Sequence, residues 1–258
     1  VPHPSIRLVS LSTTLATNAI VEGQGSPICL LLIGYSPDML RDVRFEKILS
    51  REAIVFIRGG HTVIGEEQAP LDIDAARQAI LAHAPRVAAF AISGYFGVRN
   101  PTHELQVRRL VRDLTGLPVT CGHELTTNLH APRRAMTVAL NARLIPLLQQ
   151  LIVAVRDVLA RRGIRAPLMV VKGDGSLIDA EMALERPVET ILSGPAASLV
   201  GARYLADVDD AFVIDMGGTT TDIAALRGGR PVLNLSGASV GDWQTMVEAI
   251  DVRTTGLG

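Results

Sequence analysis

Apolar residues along the chain fall into short runs separated by polar and Gly/Pro-rich stretches. Runs of strand length occur at 6–11, 27–33, 53–57, 86–92, 119–121 and 168–171. Helical spacing alternates with them, at 14–22, 37–49, 73–83, 102–115 and 196–205. In 73–83 the apolar positions Ile73, Ala76 and Ile80 share one face, continued by Ala84. Gly116, followed by Pro118, stops the next helix. Residues 133–162 predict one long helix or two joined near Pro146, because proline disrupts a helix interior. Alternating strands and helices predict an α/β fold with a mainly parallel sheet. From Ala211 the pattern changes to strand, tight turn, strand, Gly228-Gly229 turn and strand, which predicts antiparallel hairpins. A domain boundary is expected within 133–195.

Composition narrows the class. The chain has 258 residues, 48% hydrophobic and 20% charged, so it should fold as a globular protein. A formal net charge of -1 gives no sign of nucleic acid or an anionic membrane as partner. The most apolar helical stretch, 144–159, is interrupted by Gln149, Gln150, Arg156 and Asp157, and is too short and polar to span a bilayer. Cys29 and Cys121 lie far apart in or beside apolar runs, which predicts two buried free thiols and a cytoplasmic protein. The chain starts at Val1 and stops in a Gly/Thr-rich turn, so both ends read as cuts through a longer protein.

The strongest chemical signal is the segment Asp215-Met216-Gly217-Gly218-Thr219-Thr220-Thr221-Asp222, set between two apolar strands. A glycine pair allows positive φ and close approach of backbone N–H groups to a ligand. Successive N–H groups in such a turn form an anion-binding concavity, to which threonine hydroxyls add donors. Asp215, at the carboxyl end of a strand, can hold Mg²⁺ or orient an attacking water. A plain hairpin needs only one or two such residues, and leaves three threonines and a second aspartate unexplained. Neither a Walker A loop nor a Gly-x-Gly-x-x-Gly fingerprint is present.

This turn resembles the second phosphate loop of the actin/Hsp70/sugar-kinase ATPase superfamily. Ser193-Gly194-Pro195-Ala196 and the small residues after it resemble the helix that precedes that loop. The resemblance is closer to the hydantoinase A/5-oxoprolinase branch, which includes subunits of acetone and acetophenone carboxylases. It also rests on Thr13-Thr14-Leu15-Ala16-Thr17-Asn18-Ala19, on Gly122-His123-Glu124 with Arg133-Arg134 and Thr137–Ala142, and on the segment 251–258. Leu11-Ser12 stands where the family usually has His-Gly.

The resemblance implies an actin-like (ribonuclease H-like) α/β ATPase fold of two subdomains, truncated at both ends. Residues 1–135 would form part of the N-terminal domain and 136–258 part of the ATPase domain. It further implies ATP-dependent opening of a cyclic amide by phosphoryl activation, with ATP and Mg²⁺ as cofactors. Asp215 and Asp222 would be catalytic, and Asp215 would also be the metal ligand. Gly217, Gly218, Thr219, Thr220 and Thr221 would hold phosphates, with Gly194, Pro195 and Lys172 nearby. Thr13, Thr14, Asn18 and Glu124 would face the substrate. The partner would be a second hydantoinase-type subunit or another copy. The superfamily's first phosphate loop is missing, so this chain alone is expected to bind ATP weakly and be inactive. A carboxylase subunit and a non-catalytic scaffold with a relic loop are the alternatives.

Three features keep bland readings at this level. His123, Glu124 and His130 lack metalloprotease spacing, which favours a structural role. Lys172-Gly173-Asp174-Gly175-Ser176 fits an Asp-Gly turn as well as a ligand loop. Thr13 is a natural N-cap.

Overall fold

The structure is a computed structural model that describes residues 5–41, 45–218 and 220–256. In chain order the elements are β1 (Val9–Leu11), α1 (Leu15–Val21), β2 (Ile28–Ile33), β3 (Ile54–Ile57), α2 (Ile73–His83), β4 (Ala89–Gly94), α3 (Thr102–Thr115), β5 (Val119–Cys121), α4 (Gly122–Leu125) and α5 (Ala131–Arg161). There follow β6 (Leu168–Val171), β7 (Leu177–Asp179), α6 (Ala180–Glu185), α7 (Ser193–Ala206), β8 (Ala211–Met216), β9 (Thr221–Arg227), β10 (Arg230–Pro231), β11 (Leu233–Asn234), β12 (Ser239–Val240), β13 (Trp243–Gln244), β14 (Ala249–Ile250) and β15 (Val252–Thr255).

These elements form two compact units. One comprises Ala19–Leu147 with Trp243–Met246, the other Val1–Asn18, Leu148–Asp242 and Val247–Gly258. The first holds a fully parallel sheet in the order β3-β2-β4-β5. β2 and β4 are buried along their whole length, the mark of strands covered on both faces. Cys29, Leu31, Ile33, Phe90 and Ile92 meet Ala76 and Ile80 of α2 and Val107, Leu110 and Val111 of α3 in one core. α3 ends at Gly116 in the left-handed conformation, φ 66°.

The second unit is built differently. β1 pairs in parallel with β6, which pairs antiparallel with β7. The antiparallel sheet expected after Ala211 is present: β9 pairs with β8, β10 and β15. Ala196 and Leu199 of α7 pack on Ala224, Leu226 and Ile250.

One local expectation changes and one alternative is decided. Of residues 37–49, where one α-helix is expected, Pro37–Leu40 and Phe45–Lys47 are short 3₁₀ helices, and 42–44 lie outside the described residues. Their bonds run from Met39 to Ser36 and from Ile48 to Phe45, the tighter three-residue step. Residues 131–161 form one helix that keeps Pro146 inside it. This helix is also long and apolar enough to cross a bilayer by composition, yet 56% of its most apolar window is buried within the protein.

Candidate functional site

β8 and β9 meet at a tight turn in which the Gly217 N–H donates to the Thr220 carbonyl, 2.9 Å. Neither Gly217 nor Gly218 adopts positive φ, so the left-handed backbone expected of this pair is not its reason for being glycine. A Cβ on Gly218 would meet nothing within 4 Å. The exposed backbone is therefore open to approach. Thr220 is exposed, Thr221 is buried, and Thr219 lies outside the described residues.

Antiparallel register sets Asp215 directly opposite Asp222. Residues so paired project to the same face, with Cβ atoms roughly 5 Å apart. Asp215 is exposed, and its carboxylate makes no hydrogen bond among the described residues. Asp222 is held by the Thr254 hydroxyl of β15, which donates to Oδ1 at 2.6 Å. Asp222 also shares its face of β9 with Ala224 and Leu226, which pack under α7.

α7 brings a second group to that end of the sheet. Its fourteen residues span about 21 Å and the six of β8 about 20 Å. The short link from Ala206 to Ala211 returns the chain antiparallel. The N-terminus of α7 therefore lies toward Asp215. Ser193 there is fully buried and donates from Oγ to the Thr13 carbonyl at 2.9 Å. The Leu192 N–H donates to Thr17 Oγ1 at 3.0 Å, with Leu192 at φ 59°. A Cβ on Gly194 would touch Thr14 Cγ2 at 3.6 Å. Thr13 Oγ1 accepts from the Leu15 N–H at 3.1 Å, a turn bond one residue ahead of the N-cap, which is Thr14 and not Thr13 as expected, and Asn18 Nδ2 donates to Thr14 Oγ1 at 3.4 Å. The segments 13–18, 193–195 and 215–222 thus belong to one unit.

Lys172 and Glu124 are engaged elsewhere. Lys172 Nζ bridges Glu189 at 3.1 Å and Asp174 at 3.2 Å. Burial would lower its pKa, but the two carboxylates outweigh that and hold it raised. For Asp174, burial would raise the pKa, yet the Ser176 hydrogen bonds and Lys172 keep it below the usual value. Gly173 is wedged in the same loop: a Cβ there would lie 2.2 Å from the Ile191 carbonyl oxygen. Glu124 lies in the other unit. It accepts from Arg108 through Oε1 and from the Cys121 N–H, 3.1 Å, through Oε2.

That other unit holds a buried polar network which motif reading passes over. Glu104 is fully buried and accepts from the Gly94 N–H (2.6 Å), the His123 N–H (3.0 Å) and His123 Nδ1 (2.5 Å). Its signal in the sequence is an acid on the apolar stripe of α3, in helical step with Val107 and Val111. Glu104, Cys121 and His123 bring a carboxylate, a thiol and an imidazole within 4.8 Å of one another. The carboxylate already accepts three hydrogen bonds, two of them at Oε2, which accords with a structural role. Both cysteines are free and buried. Burial pushes the Cys29 thiol up to about 12, and burial with the charges of Glu104 and Glu124 raises Cys121 well above its usual value.

Comparison with known proteins agrees with the architecture. The chain is 29% identical to the caprolactamase subunit alpha of Pseudomonas jessenii, over 95% of this chain and 38% of that protein. It is 26% identical to the acetophenone carboxylase gamma subunit of Aromatoleum aromaticum, over 86% of this chain and 34% of the relative. The crystal structure of the ATP-dependent caprolactamase from P. jessenii superposes with a TM-score of 0.82 at 29% identity, covering 98% of this chain and 39% of that one. Nucleotide-free acetone carboxylase shares the fold, with a TM-score of 0.77 at 22% identity, covering 96% of this chain and 39% of that one. The chain thus spans about two-fifths of the length of these proteins. Its fold is the α/β fold of actin-like ATPases. The hydantoinase/oxoprolinase N-terminal region matches residues 2–115, and the hydantoinase/oxoprolinase model matches residues 134–258. Between them they take in nearly every element described above, and the chain belongs to the hydantoinase/oxoprolinase family.

Proposed function

We propose that this chain is the phosphate-binding part of an ATP-dependent hydrolase that opens a cyclic amide of the hydantoin or 5-oxoproline type. The observation that carries this reading is the cross-strand pair Asp215 and Asp222 beside an open Gly-Gly turn. Like charges directly opposite on neighbouring strands repel. A divalent cation removes that cost, and exposed carboxylate oxygens are the hard donors that Mg²⁺ takes. The donor set therefore fits the metal.

When bound, ATP with Mg²⁺ would supply a phosphoryl group to the amide oxygen and turn it into a leaving group for hydrolysis. The chain's own part is positioning and charge. Gly217 and Gly218 would offer backbone N–H groups to phosphate oxygens, and Thr219, Thr220 and Thr221 their hydroxyls or N–H groups. Asp215 would hold Mg²⁺ or orient the nucleophile, with Asp222 braced by Thr254. Gly194 and Pro195 would border the phosphates, and Thr13, Thr14 and Asn18 would face the substrate. Lys172 and Glu124 would enter only by exchanging their present partners. Residues 1–135 and 136–258 are assigned to the N-terminal and ATPase domains. Relatives named as alpha and gamma subunits support a second hydantoinase-type subunit, or another copy, as partner. The buried free thiols accord with a cytoplasmic protein.

A carboxylase subunit is the second reading, favoured by the likeness to the acetophenone carboxylase gamma subunit. ADP release by the whole hydrolase, rather than by this chain alone, separates the two. Turnover that requires 5-oxoproline or a hydantoin, and falls roughly 100-fold in Asp215→Asn, is the expected result. Turnover that requires a ketone with bicarbonate would favour the carboxylase. Turnover with neither, or indifferent to Asp215, would leave a scaffold.

A further inference from the structure

His61 and His103 are buried side by side, with ring centroids 4.3 Å apart. Both belong to the unit around the parallel sheet. His61 lies in the loop between β3 and α2, where it bridges Glu67 in antiparallel fashion. The Gln68 N–H donates to the Gly60 carbonyl at 3.0 Å, and the Thr62 N–H to the Glu66 carbonyl at 2.8 Å. Residues 60–68 thus form a loop with two paired legs.

His103, in the first turn of α3, holds both legs. Its Nδ1 accepts from the Gly60 N–H at 3.1 Å, and its Nε2 meets Glu67 Oε1 at 2.9 Å. A backbone N–H can only donate, so Nδ1 must carry a lone pair. The single proton of the neutral ring is then on Nε2, which donates to Glu67. An imidazolium has a proton on both nitrogens, and its Nδ1–H would be aimed at the Gly60 N–H. The Gly60 bond therefore exists only while His103 is neutral. Space around the ring is tight: a Cβ on Gly59 would stand 3.2 Å from Nδ1 and 2.7 Å from Ile33 Cγ2.

The groups that face this ring pair are few. Glu67, on the returning leg, keeps its bond when His103 is charged and favours that state, though its own side chain is half exposed. Glu104, the next residue of α3, spends its carboxylate on Gly94 and His123. Around Gly59 the neighbours Ile33 and Leu71 are apolar. Burial, and then the facing His103, lower the pKa of His61. His61 therefore stays neutral in mild acid and does not compete for the proton.

We propose that His103 is a pH-operated latch on the loop 58–68. Neutral, it clamps both legs to α3. Protonated, it gives up Gly60, keeps only Glu67 and frees the outgoing leg. That leg is also tied to the end of β4, through the His61 N–H and the Tyr95 carbonyl at 3.1 Å, and it leads to an apolar tip at Val63 and Ile64, 55% and 75% exposed. Acid thus changes how firmly this tip is held. The latch lies within one unit and does not depend on the reading of the Asp215–Asp222 turn.

Nitrogen-15 NMR with amide hydrogen exchange tests the latch in the 258-residue chain. At about pH 7.5 the His103 ring should be the Nε2–H tautomer. Between about pH 7.5 and about pH 5.5 the protection factor of the Gly60 amide should fall at least about tenfold, while that of Leu31 in β2 stays the same. His103→Asn puts an amide oxygen near the place of Nδ1 and cannot titrate, so Gly60 should stay protected at both pH values. Glu67→Gln, at a half-exposed position, removes the carboxylate that favours the charged ring and should move the loss of protection to lower pH. If His103→Asn does not fold, this shift decides. An Nδ1–H tautomer at the higher pH, unchanged Gly60 protection in acid, an equal loss at Leu31, a loss that persists in His103→Asn, or a midpoint that Glu67→Gln leaves in place would each overturn the proposal.

Discussion

Single residues set the local constraints. Gly173 is required by space: a Cβ would fall 2.2 Å from the Ile191 oxygen and 2.9 Å from Ala249 Cβ. Its N–H and C=O are also fixed, to the Glu189 carbonyl and the Ile250 N–H. Gly173→Ala must therefore move backbone, and a loss of about 1–3 kcal/mol is expected in urea unfolding. Next to it, Lys172 sits between Glu189 and Asp174. A raised lysine pKa adds stability that is present below the unfolded value of 10.5 and lost as pH rises through the folded value. A lowered aspartate pKa adds stability that is present above 3.8 and lost as pH falls through the folded value. Glu189→Gln should lower the melting temperature by a few degrees at pH 7. The difference from wild type should shrink once pH exceeds the folded Lys172 pKa, and a difference that persists above it would place the effect elsewhere.

At the level of elements, most of the fold is legible in the chain. Residues 73–83 and 102–115 carry an apolar stripe, the second with a stop at Gly116, and both helices appear with those bounds. The all-apolar 27–33 stretch reads as a strand, and β2 is one, interior to its sheet. The 37–49 stretch misleads because apolar spacing alone cannot distinguish an α-helix from short 3₁₀ turns, of which Phe45–Lys47 adjoins the buried Phe45, Ile48 and Leu49 while Pro37–Leu40 holds no buried residue. The Asp215–Asp222 motif is visible as a string, but the face-to-face placement of its aspartates is a matter of register. The brace from Thr254 is another matter, since its partner comes from a strand thirty-two residues on. The buried Arg134 and Glu104 are the least legible, because a charged side chain in a helix reads as solvated until its neighbours are known.

For the molecule as a whole, each unit is gathered from separate stretches of chain, one around a fully parallel four-stranded sheet and the other around mixed and antiparallel pairings. Among the described residues β8 pairs with β9 alone, and on its outer face Phe212, Ile214 and Met216 are 81%, 63% and 70% exposed. An apolar strand with a free edge is a template for association. Sedimentation of the 258-residue chain should show concentration-dependent self-association that Ile214→Lys reduces. Identical sedimentation of the two would remove this edge as the cause. Residues 212, 214 and 216 face away from the α7 side of the sheet, where Val213 packs.

β1 has its own history. Val9 finds its partner at Leu168. During synthesis at about 5–20 residues per second, β1 leaves the ribosome on the order of ten seconds before β6 exists. In that interval residues 19–147 can gather their parallel sheet and its core. β1 must therefore wait for this partner while residues 19–147 fold. A strand of three residues, only partly buried even in the finished protein, is suited to such a wait, since it offers little edge for a wrong partner to hold.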